Sequence, residues 1–286
     1  MSRNEPEAIS NSSPVIMLGR GGGGTRLLSE FIAGQGVFLG SKLNKSYDSV
    51  EWVETVYDIA IEVLSADAPP TPTQRAGYVE RLHNTAADVL ARSGRDTPAC
   101  WGWKLPETTL ICGLVKEAFP KAQFLHLVRH PVNASLRRTH MTSRMNNPMG
   151  AAALPAAYRH VSRDPALIET DDTIIHNACS WCHQADLMLN TFSDEPALHT
   201  IRFEHMCAAP DTTATALRTF LNHPAPPGAP GLQVDQPRAA GPGPDADQAR
   251  RVWDICGQTA AAFGFTLQEA LNGTGTNGGG HHHLTT

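Results

Sequence analysis

The sequence contains no apolar run approaching the roughly 20 residues that a membrane-spanning helix needs. Its first residues, "MSRNEPEAISNSSP", also lack the apolar core of a secretory signal peptide. Positive charge is scarce as well, because 23 Lys and Arg stand against 28 Asp and Glu, a net charge of −5. These features predict a cytoplasmic protein with no membrane span and no nucleic-acid partner. Any anion site must therefore gather its cations locally.

The six cysteines are scattered, and without a secretion signal they are expected to be reduced thiols. Three side chains able to bind metal could share one helical face in "HNACSWCH", namely His176, Cys179 and His183. Zinc normally takes its ligands from separate elements, so we interpret this segment as a buried face that carries cysteines. The "GGGHHH" near the end is too flexible for a built metal site. We therefore predict no metal ion.

Length and composition favour a single domain, since 286 residues with 41% hydrophobic content suffice for one large core. We place this domain at 14–265, between flexible tails at 1–13 and 272–286. Short apolar runs alternate with helical patterns along it, and "QFLHLVRHP" (123–131) is the best strand. This order predicts a three-layer α/β fold with a mainly parallel sheet flanked by helices.

Two segments of this pattern matter for the site. The apolar positions of 49–64 fit an amphipathic helix with Asp48 or Ser49 as its N-cap. Residues 144–171 show no clear period and are expected to be irregular or weakly helical.

The stretch "VIMLGRGGGGTRLL" (15–28) joins a buried strand to a helix through glycines, and such a turn binds anions on backbone N–H groups. Nucleoside triphosphatases need Lys and then Ser or Thr after the last glycine, whereas Thr25 and Arg26 follow Gly24 here. The loop also satisfies G-x-G-x-x-G, so a Rossmann-type dinucleotide enzyme remains an alternative. However, "GVFLGSKLNKSYD" is a poor second strand for that fold.

Four segments, in order, resemble those of sulfotransferases that use 3′-phosphoadenosine 5′-phosphosulfate (PAPS). "GRGGGGTRLLSE" is similar to their 5′-phosphosulfate loop, and "FLHLVRHPVNASLRR" (124–138) to their 3′-phosphate segment. "WGWKLPETTL" (101–110) resembles the Trp-Gly-x-Lys-x-Pro segment of many bacterial members. "IRFEHMCAAP" (201–210) resembles their Arg-Tyr-Glu-Asp-Leu strand end. The chain therefore resembles the bacterial-type members of this family.

This resemblance implies a P-loop nucleotide-kinase-like sulfotransferase fold. It also implies transfer of a sulfuryl group from PAPS to a hydroxyl or amine of a small-molecule or glycan acceptor, with PAP as the product. By similarity, the residues that wrap the 5′-phosphosulfate are Gly22, Gly23, Gly24 and Thr25.

Many relatives carry Lys or Arg at the position of Gly22, so another cation must compensate here. The nearest in sequence are Arg20 and Arg26, and Lys104 is expected to polarise the bridging oxygen as it departs. Arg129 is expected to bind the 3′-phosphate. Arg137 stands where relatives have Ser, and it is either a bidentate phosphate contact or a surface charge.

Two further roles follow from the resemblance. Arg238, in a loop rich in Pro and Gly, is expected to close over the nucleotide. The general base is expected to be Asp48, with Glu107 as the second choice. Since the usual loop cation is missing, a PAP-binding pseudoenzyme that regulates a partner remains an alternative function. The sequence does not determine the acceptor or the oligomeric state.

Overall fold

The computed structural model describes residues 9–94, 100–193, 195–235 and 245–272. Their core is a sheet of four strands, β1 Val15–Leu18, β2 Gly102–Lys104, β3 Gln123–Val128 and β4 Leu198–Arg202. The strands are all parallel and lie in the order β2-β1-β3-β4. The prediction of a mainly parallel sheet is confirmed.

The strand order creates a crevice. After β1 the chain moves to β2 on one side, and it then crosses to β3 on the other side of β1. The loops that follow β1 and β3 therefore diverge at the carboxyl edge of the sheet, which is where open α/β sheets bind ligands.

Helices cover the sheet. The α-helices are α1 Thr25–Gly34, α2 Val53–Ser65, α3 Pro72–Ala91, α4 Cys112–Ala118, α5 Pro131–Ser135, α6 Pro148–His160, α7 Thr173–Thr191, α8 Phe203–Ala208, α9 Pro210–Leu221, α10 Ala246–Ala262 and α11 Leu267–Asn272. Short 3₁₀ turns lie at Val50–Trp52, Pro106–Ile111, Met141–Ser143 and Pro165–Glu169. No helix of these residues is both long and apolar enough to cross a bilayer.

Alternate side chains of β1 pack in different layers, because successive side chains of a strand point to opposite faces of the sheet. Ile16 and Leu18 pack into the core formed with α2, α3 and α4. Val15 and Met17 pack on the other face, in the core that holds α1 and α9. A third apolar cluster lies between α7 and α10. The three-layer prediction is therefore confirmed.

Helix α6 is more regular than expected, since irregular or weakly helical structure was predicted across its residues. Pro148 occupies the first turn of α6, where its missing N–H is not needed. The Asn147 side chain caps the helix by accepting from the Gly150 amide at 2.9 Å. Leu154 and Tyr158 are fully buried on its inner face. Neither Pro148 nor the internal Pro155 interrupts the helix.

The start of α2 is also different from the prediction. The helix is preceded by the 3₁₀ turn Val50–Trp52, whose N-cap, Ser49, makes no side-chain cap hydrogen bond. The Ser49 hydroxyl instead donates to the Leu39 carbonyl at 2.7 Å. Asp48 does not cap the helix either, because its carboxylate is bound by Lys104.

Candidate active site

A cavity of about 690 Å³ lies at the carboxyl edge of the sheet, a size typical of ligand pockets. Its walls come from the segments that follow all four strands. It is lined by six cationic side chains and only three carboxylates, in a chain whose net charge is −5. The cations are Arg26, Lys104, Arg129, Arg137, Arg138 and Arg144, and the carboxylates are Glu30, Asp48 and Asp235. Positive charge is thus concentrated locally, as the sequence analysis expected.

The glycine loop connects β1 to α1 and forms one end of this cavity. Gly24 precedes α1 with φ 103°, and a Cβ there would lie 2.3 Å from the Phe203 ring. A Cβ on Gly21 would lie 2.1 Å from the His140 ring. A side chain at either position would collide with one of these rings, so the packing of the loop requires glycine there.

The predicted loop contacts are partly available to a ligand. Gly22, Gly24 and Thr25 line the cavity. The Gly23 amide is already used within the loop, where it donates to the Arg20 carbonyl at 3.0 Å. The N-terminus of α1 adds its positive dipole end to this site.

Arg20 was predicted to contact the donor, and its guanidinium turns inward and does not line this cavity. Its Nη2 donates to Asn177 Oδ1 at 2.6 Å and to Ser143 Oγ at 3.0 Å. Burial lowers the pKa of Arg20 to about 10, so the group stays charged at neutral pH. Within the described residues Arg20 forms no salt bridge, so it leaves a buried positive charge beneath the loop.

Arg26 lines the cavity, but its guanidinium also forms an ion pair with Glu30. Its Nη2 lies 2.9 Å from Glu30 Oε1, one turn further along α1, and both side chains are substantially exposed. An exposed pair of this kind contributes little to stability, so Arg26 can exchange Glu30 for another anion.

Lys104 and Asp48 form the central pair of the site. Lys104 Nζ lies 2.5 Å from Asp48 Oδ1 and donates to the Ser46 carbonyl at 2.7 Å. Burial lowers the pKa of Lys104, and the charge of Asp48 opposes this change. The pair is aligned by the backbone, since the Ser49 amide donates to the Lys104 carbonyl at 2.8 Å.

Glu107 lies behind this pair and does not line the cavity. It is 1% exposed, and burial raises its pKa to about 7, with Asp48 adding to the increase. Its Oε1 is 3.4 Å from His140 Nε2. Burial, with the charges of Arg20 and Arg144, lowers the pKa of His140 to about 3, so this ring is neutral.

Arg129 follows β3 and also lines the cavity. Its guanidinium lies 4.3 Å from the centre of the Phe203 ring, and its carbonyl accepts from Trp181 Nε1 at 2.9 Å. Burial and the nearby charge of Arg137 lower the pKa of Arg129 to about 10. The Glu204 carboxylate, at the start of α8, accepts the His130 amide at 3.0 Å.

The sequence analysis missed three Arg and His side chains that line the cavity from the segment 137–144, which are Arg138, His140 and Arg144. The signal was present, since "RRTHMTSR" holds three arginines and a histidine within eight residues. The segment crosses the glycine loop, and the Arg138 carbonyl lies 3.7 Å from where a Gly22 Cβ would be. Arg238, which was expected to close over the nucleotide, lies outside the described residues.

A parallel sheet with a glycine loop after its first strand and a cationic cavity at its carboxyl edge is characteristic of a P-loop-like fold, and its charge suits an anionic ligand. Residues 42–227 match the model of the sulfotransferase family. This match covers more than half of the chain, so the protein belongs to the sulfotransferase family, and the Rossmann-type alternative is no longer favoured. The match begins after the glycine loop.

Solved structures agree on the fold. A sulfotransferase from Alicyclobacillus acidocaldarius is 12% identical with a TM-score of 0.51, over 91% of this chain and 99% of its own. The sulfotransferase domain of the Synechococcus PCC 7002 olefin synthase is 16% identical with a TM-score of 0.50, over 90% of this chain and 96% of its own. At these identities the similarity establishes the fold alone. No curated protein matches the chain.

Proposed function

We propose that this protein transfers a sulfuryl group from PAPS to a hydroxyl or amine of a small-molecule or glycan acceptor. One observation carries the proposal: the glycine loop, Lys104 and Arg129 lie at the carboxyl ends of three neighbouring parallel strands and line one cavity. PAPS carries two separate anionic groups, and this cavity offers N–H donors after β1 and cationic side chains at the ends of β2 and β3.

The donor fits the residues present. Gly22, Gly24 and Thr25 hold its 5′-phosphosulfate by backbone and hydroxyl groups, beside the N-terminus of α1. Arg129 holds the 3′-phosphate, and Arg137 stands beside it in the same cavity. The buried charge of Arg20 favours an anion on the loop above it, because a charge in a poorly solvated site interacts strongly with its neighbours.

The missing loop cation is supplied from outside the loop. Arg138 lines the cavity next to Gly22, is exposed, and forms no salt bridge within the described ranges. Lys104 approaches from β2. Together they provide the positive charge that relatives place in the loop itself.

The chemistry requires one base and one cation. PAPS supplies an electrophilic sulfur whose bond to the bridging phosphate oxygen breaks as the acceptor oxygen or nitrogen attacks. Asp48 accepts the acceptor proton, and Lys104 neutralises the charge that develops on the departing oxygen. Asp48 is preferred to Glu107 because Asp48 lines the cavity.

A PAP-binding regulatory protein without turnover is the second candidate. The observation in its favour is the contact between Lys104 and Asp48, which occupies each group with the other. A sulfotransferase must break this contact when the donor and acceptor bind.

The first experiment measures binding of PAP and of 5′-AMP by calorimetry. Wild type is expected to bind PAP more tightly, and Arg129→Ala is expected to weaken PAP binding by about 100-fold because a charged contact is lost. Binding of 5′-AMP, which lacks the 3′-phosphate, is expected to change little. Arg250→Ala, at an exposed position on α10, is the matched control.

Turnover is then assayed as PAP release from PAPS with a panel of hydroxyl and amine acceptors. Release that depends on an acceptor supports the transferase. PAP binding without turnover on any acceptor favours the regulatory candidate, and failure to bind PAP contradicts both.

A further inference from the structure

A cluster of metal-ligand side chains lies where α6 packs on α7, apart from the cavity described above. His160 ends α6, while Cys182 and Asp186 lie one turn apart on α7. One ligand atom from each of the three residues lies within 4.8 Å of the other two. We propose that His160, Cys182 and Asp186 form a binding site for a divalent transition-metal ion of the zinc type.

The distances fit a tetrahedral ion with little movement. His160 Nε2 lies 2.7 Å from Asp186 Oδ2, and Cys182 Sγ lies 3.6 Å from the same oxygen. Ligand bonds of about 2.0–2.3 Å place tetrahedral ligand atoms about 3.3–3.8 Å apart. The sulfur and oxygen are already at this separation, the imidazole and carboxylate must part slightly, and the imidazole and sulfur lie within 4.8 Å of each other.

The donor set and its burial are those of a protein zinc site. Nitrogen, sulfur and oxygen donors from two helices are combined, and zinc accepts all three types. Cys182 is 4% exposed, whereas the His160 and Asp186 side chains are 31% and 24% exposed. In this site the buried Cys182 sulfur binds the ion from the protein interior, and water completes the coordination on the solvent side.

The cysteine-rich motif contributes to this site in a way that its spacing did not predict. His176 Nε2 contacts the Ile168 carbonyl, and Cys179 packs in the apolar cluster around Leu154. Only Cys182 of the motif joins the cluster, because the imidazole partner comes from α6. The requirement for ligands from separate elements, which argued against the motif alone, is met here.

Neighbouring groups support a bound ion. Thr259 Oγ1, on α10, lies 3.2 Å from Cys182 Sγ and can donate to the thiolate. Metal binding joins α6 to α7, and α7 carries the Asn177 and Ser180 side chains that hold Arg20 beneath the glycine loop. The expected role is therefore to stabilise the packing of these helices.

The test uses the full chain, freed of metal by a chelator and titrated with Co²⁺ as a spectroscopic substitute. Wild type is expected to bind about one equivalent through the cluster, with tetrahedral absorption and a thiolate-to-cobalt charge-transfer band that Zn²⁺ abolishes. Cys182→Ser is expected to lose the band, and Cys179→Ser, a nearby cysteine outside the cluster, is expected to retain it.

Two further variants test the site independently, in case Cys182→Ser fails to fold. His160→Ala and Asp186→Asn alter partly exposed side chains, and each is expected to weaken metal affinity by about 100-fold or more. Zn²⁺ is expected to raise the melting temperature of wild type but not of Cys182→Ser. Absence of the band in wild type, or its persistence in Cys182→Ser, overturns the proposal. None of these readouts depends on transferase activity.

Discussion

At the scale of single residues, the pair of Lys104 and Asp48 determines how the proposed reaction can proceed. Each group occupies the other, because the Lys104 ammonium lies 2.5 Å from the Asp48 carboxylate. The pair is held by the Ser49 backbone and is only partly open to solvent. If Lys104 turns to the bridging oxygen of PAPS, the Asp48 carboxylate loses this partner and can accept a hydrogen bond from the acceptor. Donor binding would then make the carboxylate available to the acceptor.

Asp48→Asn tests this role. Turnover is expected to fall by about 100-fold or more, because the amide cannot accept the acceptor proton, while PAP affinity stays nearly unchanged. The measurement is kcat with PAPS and an accepted acceptor, beside PAP binding by calorimetry. Asp58→Asn, an exposed carboxylate on α2, is the control. Unchanged turnover would assign the base to Glu107, and kcat would then rise with pH through about 7, where this group loses its proton.

The residues at strand ends were the ones that sequence analysis could place. Lys104 and Arg129 follow strands of a parallel sheet, so topology alone brings them to one edge. Arg20 and His140 were different, because side-chain direction decides their roles. The inward turn of Arg20 depends on Asn177, and the position of His140 depends on the open space at Gly21. Those partners are distant in sequence, and no local pattern contains them.

At the scale of elements, α7 acts as the support of the glycine loop. Asn177 accepts from Arg20 at 2.6 Å and donates to the Ser135 carbonyl, at the end of α5, at 2.9 Å. One buried amide therefore connects α7, the loop and α5. The loop geometry depends on a helix that does not itself line the cavity.

Asn177→Ala is expected to lower the free energy of unfolding by about 2–4 kcal/mol, because a buried guanidinium and a buried carbonyl lose their partner. PAP binding is also expected to weaken, since the loop loses its support. Chemical denaturation and calorimetry measure the two effects. Asn190→Ala, an exposed position on the same helix, is expected to change neither. An equal loss of stability in both variants would contradict the supporting role.

The strands and most helices were predictable because their apolar residues repeat with a clear period. β1 has the bounds that its apolar run predicted, and α7 begins directly after its capping residue Asp172. For residues 144–171 the sequence analysis predicted irregular or weakly helical structure, so it did not anticipate the regular helix α6. Only the packing of its buried face against the rest of the fold identifies α6 as a helix.

At the scale of the whole molecule, buried titratable groups link stability to pH. Burial lowers the pKa of His126 to about 3 and of His183 to about 4, and His140 is shifted similarly. Below about pH 6.5 the unfolded chain binds protons at these histidines that the folded chain does not, so stability falls as pH falls. Glu107 acts in the opposite direction, because its raised pKa lets the folded chain keep a proton that the unfolded chain releases. Three histidines outweigh one carboxyl group, so acid is expected to destabilise the fold.

His126→Leu isolates one contribution to this effect. The ring is 3% exposed within β3, and its Nδ1 has no hydrogen-bond partner among the described residues, so leucine is expected to be tolerated at neutral pH. Between about pH 7 and about pH 5, protonation of His126 in the unfolded chain is expected to cost wild type about 2 kcal/mol of stability, and the variant is expected to avoid this loss. Denaturant unfolding at the two pH values measures the difference. His205→Leu, which alters an exposed histidine on α8, is expected to keep the wild-type pH dependence. If His126→Leu loses as much stability as wild type on acidification, the buried, neutral state of His126 is contradicted, and the acid sensitivity must come from the other histidines.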